Sequence, residues 1–177
     1  MSKGELQRMV KARQLPAKAI EITTNEAERA ALAYRFDLPA VGSLNAEISL
    51  EEDGKAVLAR GRLQAQIMQS CAISGEEFPV SVDEPVLLRF IEEGTIDPTL
   101  SADEEIEIEL SGEDCDEIEY SGDAFDLGEA VAQSLGLAID PYATGPNADA
   151  ARDKVGIVTD DTPSGPLAAA LAALKKD

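Results

Sequence analysis

From Leu44 to Leu50 the chain alternates without a break: Leu44, Ala46, Ile48 and Leu50 share one face, and Asn45, Glu47 and Ser49 share the other. The alternation then resumes, with Val57, Ala59, Gly61, Leu63, Ala65 and Ile67 opposed to Arg60, Arg62, Gln64 and Gln66. A period of two marks a strand with one buried face. Between the runs, Glu52-Asp53-Gly54-Lys55 supplies a turn whose Asp-Gly pair tolerates positive φ. Together the segments predict an antiparallel hairpin.

Shorter alternations predict further strands at 18–24, at 78–82, and from Pro85 onward with Val86, Leu88 and Phe90 on one side. Another strand is expected where Ile106, Ile108 and Leu110 interleave with Glu105, Glu107 and Glu109. Cys71 to Gly75 reads as a turn, and the stretch from Gly94 to Asp103 as a loop. Asn25 followed by Glu28 forms a capping box that opens an alanine-rich helix, ended by Leu38-Pro39. Asp126-Leu127-Gly128-Glu129 is a second box, opening a helix with Leu127, Val131 and Leu135 on one stripe and Asp140-Pro141 at its end. Ser164-Gly165-Pro166 starts a terminal helix whose stripe is Leu167, Leu171 and Leu174, with Lys175 and Lys176 at its C-terminal dipole. So short a helix is marginal alone, so it docks either on a partner or on its own core.

The elements predict an α+β fold: an antiparallel, partly barrelled sheet with two to three helices and a C-terminal peptide or helix. Residues 1–17 read as a basic arm, 18–142 as a single domain, 143–163 as a flexible linker rich in Gly, Pro, Asp, Asn and Thr, and 164–177 as the terminal amphipathic helix. No internal repeat is present.

Charge changes this picture most. The formal net charge is −20, and from Phe90 to Ala151 there are 18 acidic residues and no Lys or Arg. The first 18 residues instead carry Lys3, Arg8, Lys11, Arg13 and Lys18 against Glu5 alone. So strong a negative field disfavours general binding to nucleic acid and favours a basic partner. Contact with RNA is expected only at the basic arm, through Lys11 and Arg13, or at the face bearing Arg60 and Arg62, with Arg89 near it. The ordinary polar side of a one-sided sheet is the favoured reading of that face.

The chain contains no histidine and two cysteines, Cys71 and Cys115. Ser-His-Asp and Cys-His nucleophiles and imidazole-based zinc sites are therefore impossible within it. The acids are so numerous that chance brings pairs together, and an exposed acidic face accounts for them better than a catalytic pair. The run from Gly112 to Glu117 lacks the ligand spacing of a calcium loop. The expectation is a non-enzymatic protein without cofactor, metal or small-molecule substrate. The N-terminus has no apolar run behind its charges, so no signal peptide is read there, and no stretch approaches the roughly 20 apolar residues of a membrane helix; a cytoplasmic location is expected.

Three segments resemble the YceD family of bacteria and plastids. The strand running into Gln69-Ser70-Cys71-Ala72-Ile73-Ser74-Gly75-Glu76-Glu77-Phe78 is similar to the family's Cys-x-x-Cys-x-x-Pro-Phe region. Phe125-Asp126-Leu127-Gly128-Glu129, continuing to Pro141-Tyr142, resembles its second helix and proline-containing exit. The run from Pro166 to Lys176 is similar to its closing peptide. The matching positions are Cys71, Gly75, Phe78, Asp126, Leu127 and Pro141. Ser74 stands where many relatives have a second Cys, so no metal or redox role of that pair carries over. The resemblance implies a factor supporting accumulation of large-subunit ribosomal RNA, acting through a ribosomal protein, precursor RNA or both. The alternative is an acidic interaction module or nucleic-acid mimic that regulates a basic protein.

Overall fold

The computed structural model describes residues 4–94 and 115–156. Its elements are, in order, β1 (Met9–Lys11), β2 (Ile20–Thr23), α1 (Glu26–Arg35), β3 (Ala40–Asp53), β4 (Ala56–Ser70), β5 (Glu77–Glu92), β6 (Asp116–Tyr120), β7 (Ala124–Asp126), α2 (Leu127–Ala138) and α3 (Ala148–Val155). The fold is α+β. Two units divide the chain, Met1–Met68 with Pro79–Asp140 and Gln69–Phe78 with Pro141–Asp177.

The expected hairpin is the centre of the first unit. β3 and β4 pair antiparallel down to Asp53 opposite Ala56, leaving Gly54 and Lys55 as a two-residue turn. Gly54 takes φ 63°, the left-handed value that glycine admits freely. The inward residues of both strands are buried, and Arg60, Arg62, Gln64 and Gln66 are turned outward. β3 begins earlier than its clean alternation because the register shifts between Val41 and Ser43. The extra residue, Gly42, lets Val41 and Leu44 both face the core although they stand three apart. Gly61 lies opposite Ile48, where an added Cβ would sit 2.0 Å from the Glu47 carbonyl oxygen.

The sheet runs β2-β3-β4-β5-β6. It is open, with β2 and β6 at its edges, and this corrects the expected partial barrel. It is also mixed, since β6 pairs parallel to β5. The connection from 93 to 115 exceeds the dozen or so residues that a parallel return requires. Two expected short strands prove to be the single strand β5, carrying Pro85 within it. Among the described residues β6 pairs only with Leu88–Glu92, so Pro85 lies on an edge stretch, where a missing N–H is tolerated.

One apolar cluster fills the first unit. Leu32 of α1 and Leu127, Val131 and Leu135 of α2 are fully buried with the inward hairpin residues. Phe90 and Phe125 stack within it at 4.1 Å between ring centroids.

The arm at 1–17 is not separate from this unit. Leu6 is completely buried, and β1 pairs antiparallel with β7. Asp126 caps α2, its Oδ1 accepting the backbone N–H of Gly128 (3.0 Å) and Glu129 (3.2 Å), and the same oxygen accepts the N–H of Arg8 at 2.8 Å. The box expected here is therefore half made. The Glu129 carboxylate turns to Arg35 of α1, at 2.8 and 2.9 Å, and Arg35 also reaches Glu5 at 3.0 Å. The box on α1 is complete, with Asn25 and Glu28 exchanging bonds of 3.0 and 2.9 Å, and Arg8 grips the same Glu28 at 2.8 Å.

In the second unit, Ala148–Val155 is helical where a flexible linker at 143–163 was expected. Ala148, Ala150 and Ala151 favour the helix, and Gly156 at φ 71° ends it. The expected strand at 106–110 and the helix carrying Leu167, Leu171 and Leu174 lie outside the described residues.

Two outcomes follow. Gly61→Ala is expected to lower stability by about 3 kcal/mol, the scale of forced overpacking, read as a shift in the urea midpoint; an unchanged midpoint would contradict the close strand contact. Arg35→Ala is expected to cost about 1 kcal/mol at pH 7, as part-exposed ion pairs do. Arg35 holds the Glu129 carboxyl below its ordinary 4.5. A depressed carboxyl stabilises the fold above that value and loses the effect as pH falls through its folded value. The difference between wild type and variant should therefore vanish under acid conditions, and a constant difference would exclude the pair as its source.

Candidate partner-binding surfaces

Three places hold the residues singled out by the sequence. On the outward face of the five-stranded sheet, Arg60 and Arg62 stand together as expected. Arg62 is ion-paired with Asp83 of β5 and lies opposite Glu47 of β3. Asp83 raises the Arg62 pKa, and the guanidinium in turn lowers that of Asp83. Beside them Glu21, Thr23, Asn45, Glu47, Arg62 and Gln64 line a groove of about 410 Å³. Arg89 lies between Asp53 at 3.1 Å and Glu117 at 3.3 Å. A phosphate approaching Arg62 or Arg89 would thus have to displace a carboxylate already in place.

Lys11 and Arg13 border a different recess, with Glu92, Tyr120, Gly122 and Asp123 around it and a volume of about 580 Å³. Neither cation has an ionic partner among the described residues. The sequence grouped these two with the sheet arginines by charge sign alone, and the fold places them at the β1–β7 end.

The third place is the turn at Cys71, in the second unit. Cys71 is buried, and its sulfur accepts the Ser74 N–H at 3.4 Å. The Cys71 N–H donates to the Glu76 carbonyl at 2.8 Å, and the Gly75 N–H to the Cys71 carbonyl at 2.9 Å, with Gly75 at φ 73° closing the turn. The 143–147 segment completes it: Ala72 N–H donates to the Ala143 carbonyl at 3.0 Å, and the Asn147 amide to Glu76 at 2.9 Å. An added Cβ on Gly145 would press the Phe78 ring at 3.0 Å and Cys71 at 3.5 Å. Cys71 and Phe78 thus both pack against Gly145, while exposed Gly75 closes the turn. Sequence reasoning missed Gly145 and Asn147, whose Gly-Pro-Asn punctuation read as linker. Asp126 and Leu127 belong to the first unit, as the cap and first buried residue of α2.

Hydrogen bonds from Ser74, through its side chain and then its backbone, and from the amides of Gly145 and Ile73 lower the Cys71 thiol from 9.0 to about 6 against the opposing effect of burial. Ser74 holds the sulfur as a hydrogen-bond donor. Among the described residues no three His, Cys, Asp or Glu side chains converge on a point that could hold a metal, and no helix is long and apolar enough to cross a membrane. No family model, curated protein or solved structure matches the chain.

The thiol has a signature in stability. A group whose pKa falls on folding adds stability as pH rises from its folded to its unfolded value. The stability of the wild type relative to Cys71→Ala is therefore expected to grow between pH 6 and 9 and to be flat below pH 6. Urea midpoints measured across that range check this, and a parallel pair of curves would show that folding leaves the thiol pKa unchanged.

Proposed function

We propose that this chain is a non-enzymatic, cytoplasmic factor that supports large-subunit ribosomal RNA accumulation by engaging a basic ribosomal protein during large-subunit assembly. The reading draws its pathway from the resemblance of the Cys71 turn, the second helix and the closing peptide to the YceD family. The observation that favours a protein over RNA as the direct contact is the internal pairing of the arginines. Arg8, Arg35, Arg62 and Arg89 are each tied to carboxylates of the same chain. The surface left to a partner is dominated by unmatched acid, which steers basic proteins in and phosphate away.

Sedimentation of cell extracts tests this. The protein should migrate with large-subunit precursors, and its deletion should lower the ratio of large- to small-subunit ribosomal RNA. Absence from those fractions together with an unchanged ratio would end the proposal. An Arg60→Gln/Arg62→Gln double variant should change co-migration by no more than about twofold, the scale of exposed charge pairs. A loss of about tenfold or more would instead make the sheet face a phosphate-reading surface.

A further inference from the structure

Between β5 and the C-terminal end of α2 lies a cleft of about 350 Å³ that none of the candidate residues above touches. Leu137 stands in its wall with 81% of its surface exposed, unusual for a large aliphatic side chain next to a packed core. Ala138 and half-buried Leu87 continue the apolar wall. Glu84 and Asp116, both exposed, flank it, and among the described residues no Lys or Arg lines it. The helix adds to this polarity. α2 ends at Ala138 with no basic residue in its last turn, so its negative dipole end is not offset by a side chain of its own. The β5 backbone beside Glu84 and Leu87 precedes the stretch that β6 pairs, so among the described residues that edge is unladdered.

We propose that this cleft binds an extended Lys/Arg-rich segment of a basic protein carrying at least one aliphatic side chain. The aliphatic group packs on Leu137 and Leu87, and the flanking cations meet Glu84, Asp116 and the α2 terminus. Pro85 deprives the edge of one donor, which opposes addition of a long regular strand and limits the contact to a few residues. RNA is disfavoured because two carboxylates and a helix C-terminus face the cavity together. The inference deepens the proposed function by locating the contact with the basic partner, and it rests on that reading for the partner's identity only.

The test uses the full chain and a fluorescein-labelled peptide, Lys-Ile-Lys-Val-Arg-Ile-Lys, followed by anisotropy at low and moderate salt. Glu84→Lys/Asp116→Lys should weaken binding at least about tenfold, while Glu21→Lys/Glu47→Lys, the same change in net charge on the sheet face, should change it less than about threefold. Leu137→Asn alters no charge at an exposed position and should weaken binding about fivefold to tenfold with an unchanged urea midpoint. Equal losses from the two charge reversals would reduce the effect to diffuse attraction and overturn the site, as would an indifferent Leu137→Asn. A photo-crosslinking residue placed at 137 in cells should capture a basic protein. Capture of residues 95–114 of the same chain, or of a second copy, would assign the cleft another occupant and overturn the proposal. The peptide measurement needs no ribosome, so it can fail while co-sedimentation holds, or hold while co-sedimentation fails.

Discussion

The N-terminal segment is held to both helices of the first unit through Arg8, Arg35 and Asp126, and the order of that unit depends on this knot. Asp126 Oδ1 accepts three backbone N–H groups, two from the helix it caps and one from Arg8. Arg35 reaches from α1 to Glu129 of α2 and to Glu5 of the arm. Each ion pair alone is modest because its members are part-exposed. Their value lies in arrangement: β1 can pair with β7, and Leu6 can enter the core, only where the arm lies across the start of α2. Gly128 permits that approach, since a Cβ there would stand 2.7 Å from the Leu6 carbonyl oxygen.

Internal ion pairing also shapes the electrostatic character of the surface. With 15 cations against 35 acids, a fold that commits Arg8, Arg35, Arg62 and Arg89 to internal pairs leaves an excess of carboxylate to face solvent. Those pairs remove the cations from phosphate recognition twice over. They neutralise them locally, and they require any phosphate to compete with a neighbouring carboxylate whose position the sheet register fixes. Asp83 beside Arg62 and Glu117 beside Arg89 are instances from adjacent strands, and Asp53 reaches Arg89 from β3, two strands away.

What the sequence made legible depended on whether a signal was local. The β3–β4 hairpin, the Asn25 capping box and the Leu127, Val131 and Leu135 stripe each rest on neighbours a few residues apart, where period and capping chemistry are decisive. The bulge at Gly42 was hidden because one extra residue looks like the end of an alternation, and β5 was divided because Pro85 reads as a strand breaker. β6 and β7 are short, with only Ile118 with Tyr120 and a buried Phe125 to mark them. The destination of Glu129 was also beyond reach, for the choice between its own cap and Arg35 is made by tertiary contact. On the candidate surfaces, charge sign was legible and pairing was not. Arg62 and Arg89 look available in one dimension and are neutralised in three.

The Cys71 turn shows how the backbone can hold one small core in shape. The backbone bonds from Cys71 to Glu76 and from Gly75 to Cys71 close the turn without any side chain, and Gly145 fits against Phe78 by lacking one. Ser74 then supplies a donor to the sulfur, which favours the thiolate as a positive neighbour would, though more weakly than a metal. A turn held by backbone bonds needs no metal to order it.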